Sequence, residues 1–231
     1  MLIIVDPGEG GCLEAAHDLN GMLERMIPMA TKVILVRHAQ TEWNKTNRYQ
    51  GHLDIPLNEK GREQARRVAV RLSGDDIKAV YTSDLGRALA TARAIAELHG
   101  LEPTVVPEFR EVDVGRWQGH SMEEAKEMDP EFFKLWISNQ ATVAFPGGES
   151  YEDVRRRTVP KLEELVEHHR GETLCVVSHA GPLKVMLCSM LGMSLDHRRR
   201  LDIANASVSV ARYDGGIPRL CVLNDTCHLR G

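Results

Sequence analysis

The sequence predicts an α/β fold: a three-layer sandwich with a mostly parallel sheet, helices on both faces, an edge hairpin and a small helical lid. Three observations carry this. Val33-Ile34-Leu35-Val36 and Leu174-Cys175-Val176-Val177 are unbroken apolar runs of strand length, the pattern of strands buried on both faces. From residue 32 onward, strand-like and helix-like periods alternate, which calls for parallel strands joined by helices. Near the end, two β-rich runs flank Asp214-Gly215-Gly216, a turn that joins antiparallel neighbours.

In order, residues 33–36 make the first strand. Residues 58–72 follow as a helix, because Ala65, Val68, Ala69 and Leu72 recur on one face. A strand over 79–82, a helix over 84–99 and a short strand at 105–106 come next. Residues 121–139 read as one or two helices broken at Pro130, within a lid spanning about 120–150. A helix begins after Gly148 and continues to about residue 169, kinked at Pro160. Residues 173–178 are the second buried strand, with a helix over 182–191 behind it. Residues 207–213 and 217–223 form the hairpin. Residues 1–30 stand apart as an N-terminal extension. Leu13, Ala16, Leu19, Leu23 and Met26 recur there at helical spacing, and Met29 directly precedes the first strand. The expectation is an appended helix, or a start codon placed upstream of a native start at Met29. The domain proper is then residues 31–231.

Composition narrows the function. The chain has 231 residues, 42% of them hydrophobic and 27% charged, enough for a buried core. A formal charge of −4 supplies no basic field, so neither nucleic acid nor an anionic membrane is an expected partner. An anionic substrate must instead be held by a local cluster of positive groups. The five cysteines include no Cys-x-x-Cys pair and read as buried free thiols in a reducing cytoplasm. No apolar run reaches the roughly 18 residues of a membrane span, and no secretion signal is recognisable.

Chemistry concentrates where strands end. The first buried strand runs into Arg37-His38-Ala39, and the second into Ser178-His179-Ala180-Gly181. Ligands of open α/β sheets bind beyond the carboxyl ends of the strands. If the two strands are neighbours, His38 and His179 meet. A third exit, Thr82-Ser83-Asp84-Leu85-Gly86-Arg87, puts Arg87 in the first turn of a helix, where a cation opposes the dipole unless it faces an anion. Each residue alone has a plain structural reading, as a hydrogen-bonded core histidine or a surface salt bridge. Together they fit phosphate, because arginine forks match its oxygens and two imidazoles supply a nucleophile and a donor. Trp117 and Trp136 read as packing residues, and His197-Arg198-Arg199-Arg200 as a solvated charge run at a helix end.

The motifs resemble the histidine phosphatase superfamily, in its phosphoglycerate mutase-like branch, which includes broad-specificity and alpha-ribazole-type phosphatases. The likeness runs from about Lys32 to Leu229. It rests on Arg37-His38-Ala39-Gln40-Thr41-Glu42-Trp43-Asn44, Gln50-Gly51-His52-Leu53-Asp54 and Ser83-Asp84-Leu85-x-Arg87-Ala88. It continues through Arg110-Glu111-x-x-x-Gly115-x-Trp117, Gly147-Gly148-Glu149-Ser150, Ser178-His179-Ala180-Gly181 and Asn224-Asp225-x-x-His228-Leu229. The resemblance implies a phosphohistidine on His38, with Arg37, Arg87 and His179 around the phosphoryl group. Glu111 would protonate the leaving oxygen and then activate water, although Glu108 and Asp113 stand close in sequence. Asn44, Gln50, Gly51 and Ala180 would complete the substrate pocket. No cofactor and no metal is implied. Ala39 departs from the family's glycine, placing a Cβ where backbone amides would approach the phosphate.

Within that resemblance a mutase must hold a doubly anionic intermediate and exclude water, which calls for a long, basic lid. Residues 120–150 instead carry Lys126 and Lys134 against Glu123, Glu124, Glu127, Asp129, Glu131 and Glu149, with Met122, Met128, Phe132, Phe133, Trp136 and Phe145. The expectation is hydrolysis of a small phosphorylated metabolite with an uncharged or apolar remainder. A phosphoglycerate mutase is the alternative, and a catalytically silent phosphate-binding module is the remote one. An edge strand leaves room for a homodimer.

Overall fold

The structure is a computed structural model that describes residues 30–230. The expected N-terminal helix and the alternative start at Met29 lie outside those residues. Four strands run parallel: β1 (Thr31–Arg37), β2 (Ile77–Thr82), β3 (Thr104–Val105) and β4 (Thr173–Ser178). β5 (Val208–Asp214) lies antiparallel to β1 and turns into β6 (Ile217–Asp225), giving the sheet order β3-β2-β4-β1-β5-β6. The long return to β4 therefore inserts it between β2 and β1, so both histidine-bearing strands are central and adjacent. The six-stranded sheet is open and mostly parallel with an edge hairpin, as the alternating pattern requires.

Residue alternation along the central strands feeds a separate core on each face. On one side, Ile34, Val36, Cys175 and Val177 pack against Val68 and Leu72 of α2 (Glu59–Leu72) and Ala92 and Ile95 of α3 (Gly86–Glu97), after a one-turn α1 (Glu42–Lys45). On the other, Val33, Leu35, Leu174 and Val176 meet Leu162 and Leu165 of α6 (Tyr151–His168) and Leu183 and Met186 of α7 (Ala180–Met190). Unbroken apolar runs are needed because every side chain of these strands meets a helix layer. Between the layers' turns sit α4 (Met122–Met128) and α5 (Pro130–Ser138), separated by Asp129, whose carboxylate accepts from the Phe132 amide. Pro130 starts the second of these helices, where its missing N–H costs nothing.

Several boundaries differ from expectation for local reasons. α3 starts at Gly86, not residue 84, because Asp84 pairs with Arg110 while Asp54 Oδ1 accepts from the Gly86 amide at 2.7 Å. α7 starts at Ala180, with Pro182 inside its first turn, where no backbone donor is needed. α6, by contrast, runs through Pro160 to His168, as expected to within one residue. The charge run at 197–200 is not wholly solvated: Arg198 is 3% exposed, its guanidinium carbon 3.7 Å from the Tyr151 ring centroid. Of the thiols expected to be buried, Cys175 and Cys188 are, but Cys221 and Cys227 are exposed, on the edge strand β6 and the turn after it.

One glycine ties α2 to the first histidine. Gly61 lies against the Gln40 backbone so closely that a Cβ there would overlap the Gln40 carbonyl oxygen. Gln40 is two residues past His38, so the fit also fixes the exit of β1. Gly61→Ala is expected to lose about 1–3 kcal/mol, as overpacking against backbone does. Urea unfolding reads this as a lower midpoint at unchanged slope; an unchanged midpoint would mean that α2 is free to shift.

Candidate active site

β1 and β4 end in register, Arg37 opposite Ser178, and the His38 amide donates to the Ser178 carbonyl at 2.9 Å. The next residue of each strand exit is then a histidine, and the two rings lie 5.0 Å apart between centroids. Both are buried, His38 at 2% and His179 at 0% exposure. His38 Nδ1 lies 2.7 Å from the Ala39 carbonyl, which only accepts. The ring hydrogen therefore sits on Nδ1, and Nε2 keeps its lone pair. His179 Nε2 is 2.7 Å from Ser83 Oγ, and its Nδ1 has no partner among the described residues.

Two guanidinium groups adjoin this pair. Arg37 donates from Nη1 to the Ile203 carbonyl at 2.7 Å. Arg87 is fully buried and donates to the carbonyls of Leu53 (2.7 Å) and Gly51 (2.8 Å). Among the described residues neither forms an ion pair, and the Nε of each is buried without an acceptor. Buried cations are normally paired, so the buried Arg87 and half-buried Arg37, neither on a carboxylate, mark a place built for an anion.

The remaining expected residues converge on the same spot. Glu111 Oε1 accepts from the Gly181 amide (3.1 Å) and the Val112 amide (3.0 Å), at the N-terminus of α7 directly after His179 and Ala180. Asn44 spends Oδ1 on Thr41 and on Asn205 Nδ2, which also donates to the His38 carbonyl at 3.1 Å. Gln50 Oε1 accepts from Thr41 Oγ1 at 3.1 Å. Gly51 adopts φ +51° against Val114 and Gln118, so it needs to be glycine for conformation and close approach. Where Ala39 replaces the family's glycine, its amide donates to Thr91 Oγ1 at 3.1 Å and is spent within the protein.

Electrostatics follow from the burial. The His38 pKa lies well below its ordinary 6.5, chiefly through burial and then through Arg87 and Arg37, with the Ala39 carbonyl opposing. His179 is lowered by burial, Arg87, His38 and Arg37. Burial also brings Arg87 down to about 10, still cationic at neutral pH. A neutral imidazole with a free Nε2 beside two cations is chemically a nucleophile facing an anion.

Sequence reasoning did not single out Ser83, Thr91, Asn205 or Arg157 for a role, although each holds a member of this cluster. Arg157 had a readable signal: Val154, Arg157 and Thr158 share the spacing of a buried helix face. Asn205 had none, since it lies in an irregular turn. The aromatic residues of 122–145 also prove to be occupied. Trp136 and Phe145 pack on Trp117 at 4.9 and 5.3 Å, with Phe132 and Phe133 around it. They extend the core on that face of the sheet, so these aromatics are occupied by packing and do not line an apolar pocket.

A family model described as the histidine phosphatase superfamily (branch 1) matches residues 33–226. Phosphoserine phosphatase 1 of Hydrogenobacter thermophilus is 41% identical over 86% of this chain and 94% of its own length. Phosphoglycerate mutase-like protein 4 of Arabidopsis thaliana is 39% identical over 86% of each. Among solved structures, a phosphoserine phosphatase in complex with 3-phosphoglyceric acid from Entamoeba histolytica superposes with a TM-score of 0.79. It shares 30% identity and covers 87% of this chain and 100% of that one.

The lowered imidazoles carry a stability signature. Above pH 6.5 they are neutral in both folded and unfolded chains; below it the unfolded chain binds more protons, so folding weakens as pH falls toward the folded-state values. The melting temperature without phosphate is expected to drop as pH falls below about 6.5. A His38→Asn, His179→Asn double variant should show a shallower drop, and parallel curves for the two proteins would refute the burial argument.

Proposed function

The chain belongs to the histidine phosphatase superfamily, and from that premise we propose that it hydrolyses small phosphomonoesters through a phosphohistidine on His38. The observation that carries this is the pair of buried imidazoles 5.0 Å apart, flanked by two arginines without carboxylate partners. His38 Nε2 attacks phosphorus while the ester P–O bond breaks. Arg37, Arg87 and His179 hold the equatorial oxygens, whose charge is greatest in transit. The leaving alkoxide takes a proton from Glu111. Water then attacks the phosphohistidine, giving its proton to Glu111, and inorganic phosphate leaves with His38 neutral again. Asn44, Gln50, Gly51 and Ala180 shape the pocket around the ester. Residues 120–150 cover it.

For the substrate, we infer a small phosphorylated acid of the phosphoserine kind. Two of the relatives named above carry phosphoserine in their names, and one of these is solved with 3-phosphoglyceric acid. Lys184 supports the reading: half-buried one helical turn beyond Ala180, it has neither hydrogen bond nor ion pair among the described residues. Burial lowers its pKa, Asp202 opposes, and Arg37 adds to the lowering. A spare cation beside a phosphoryl pocket suits a carboxylate on the same molecule. Among the described residues no helix is long and apolar enough to cross a membrane. Free thiols at Cys175 and Cys188 fit a reducing cytoplasm. The open edge of β6 is where a second copy would pair, which light scattering reads.

Phosphate release from p-nitrophenyl phosphate and from phosphoserine tests the reading. His38→Ala should abolish both and lose the acid-labile phosphoenzyme trapped by rapid quench. Wild-type turnover in that variant would remove the nucleophile. Incubation with 3-phosphoglycerate and its bisphosphate, followed by phosphorus NMR, separates hydrolysis from mutase action; isomerisation faster than phosphate release would favour the latter. Lys184→Met is expected to raise KM for phosphoserine while leaving KM for p-nitrophenyl phosphate near wild type. Equal effects on the two would assign Lys184 to the phosphoryl pocket or to packing.

A further inference from the structure

Glu111 sits in a segment that cannot position it unaided. Between β3 and α4 the chain forms only two short 3₁₀ turns, Pro107–Phe109 and Gly115–Trp117, and Glu111 falls between them. No helix or sheet ladder fixes its backbone. Its carboxylate nevertheless has to meet one leaving oxygen within a fraction of an ångström.

Besides His52 Nε2, 2.8 Å from the Glu111 carbonyl, Arg157 of α6 supplies the constraint. Its Nη1 donates to the carbonyls of Glu108 and Arg110 (2.9 Å to the latter), and its Nη2 donates to the Glu111 carbonyl at 3.0 Å. The other edge of the same fork grips Glu149: Nε to Oε1 at 2.8 Å and Nη2 to Oε2 at 2.9 Å. Glu149 in turn takes the Asp113 amide on Oε2 at 2.9 Å, and its own amide donates to the Asp113 carbonyl at 2.8 Å. One guanidinium therefore pins the backbone on both sides of Glu111. Burial would raise the Glu149 carboxyl, but Arg157 and the Asp113 amide hold it below its ordinary value, so the pair stays charged. On the far side, Gly181 lies so close that a Cβ there would overlap Glu111 Oε1. The carboxylate is thus confined between a clamped backbone and the first turn of α7.

We propose that Arg157, fastened to Glu149, is a positioning residue that sets Glu111 for proton transfer to the leaving group. This rests on the assignment of Glu111 given above. An ordinary structural ion pair would support all reactions of the site equally. A positioning device for the proton donor matters only where the leaving group needs a proton.

The experiment compares kcat/KM for p-nitrophenyl phosphate, whose phenolate leaves readily, with that for phenyl phosphate, whose leaving oxygen is far more basic. This ratio reports only steps through phosphoenzyme formation, so later water activation by Glu111 does not enter. Arg157→Met should lower kcat/KM for phenyl phosphate roughly 10- to 100-fold and change it little for p-nitrophenyl phosphate. Glu111→Gln, measured alongside, should show the same selectivity, larger in size. If Glu111→Gln is selective but Arg157→Met depresses both substrates alike or neither, the positioning role is overturned. If Glu111→Gln itself is unselective, the assignment of the proton donor fails instead. Should Arg157→Met not fold, Glu149→Gln and Arg157→Lys are read by the same selectivity, Arg157→Lys retaining less than half of the fork's contacts.

Discussion

The last rung between β1 and β4 sets the whole site. The His38 amide reaches the Ser178 carbonyl at 2.9 Å, and this bond decides that the two strands stop at the same height. Because they stop together, the residue after each is a histidine, and the rings face each other across one strand spacing. A slip of one residue would turn the side chains of the slipping strand to the opposite layer. Because both faces are apolar, the pattern alone does not forbid it; the close packing of each layer does. Core packing is therefore what holds two imidazoles 5.0 Å apart, and the chemistry inherits the precision of the sheet.

With the imidazoles fixed, charge is the next constraint. Arg37 and Arg87 are oriented by backbone carbonyls of Ile203, Leu53 and Gly51 rather than by carboxylates. Carbonyl dipoles aim a guanidinium without cancelling its charge, so the field is left for a ligand. Burial first, and then the field of Arg87 and Arg37, keeps His38 neutral, while the Ala39 carbonyl on Nδ1 leaves its Nε2 free. An arriving phosphate dianion compensates the arginines, easing the desolvation that burial imposed on them. Pre-orientation thus serves nucleophile and electrophile together: cations that suppress protonation of His38 also draw electron density from phosphorus.

Much of this could be read from the chain, for identifiable reasons. Buried parallel strands write themselves as unbroken runs, and a polar residue at the end of such a run stands out, as His38 and His179 do; Arg87 stands out as a cation in the first turn of a helix. The insertion of β4 between β2 and β1 was not, because strand order lies in long-range contacts with no local pattern. Arg198 misled for a related reason: four consecutive basic residues look solvated, yet Tyr151 offers one of them a ring face. Glu111 could be named only by resemblance, since neither helix nor strand period marks its loop. What holds it, Arg157, stands last in an arginine triplet whose first two members, Arg155 and Arg156, pair at the surface with Glu152 and Asp153.

The segment from Met122 to Phe145 shows how an apolar composition can be spent. Seen as a list, its aromatics suggest a surface for substrate. Packed, they surround Trp117, with Trp136 only 2% exposed and Phe145 likewise. Two short helices of 7 and 9 residues could not stay folded on backbone hydrogen bonds alone, so they need that internal core. Side chains committed to this task cannot also select a ligand. On the proposed function, discrimination then falls to polar groups near the strand exits, among them Asn44, Gln50 and Lys184 of α7, whose side-chain nitrogens can meet an ester's remainder. Such groups recognise charge and hydrogen-bonding pattern better than bulk, because a desolvated donor left unmatched costs more than a missing methylene. If the proposed substrate class holds, a site of this make-up separates phosphorylated acids from neutral phosphates more sharply than it separates long from short ones.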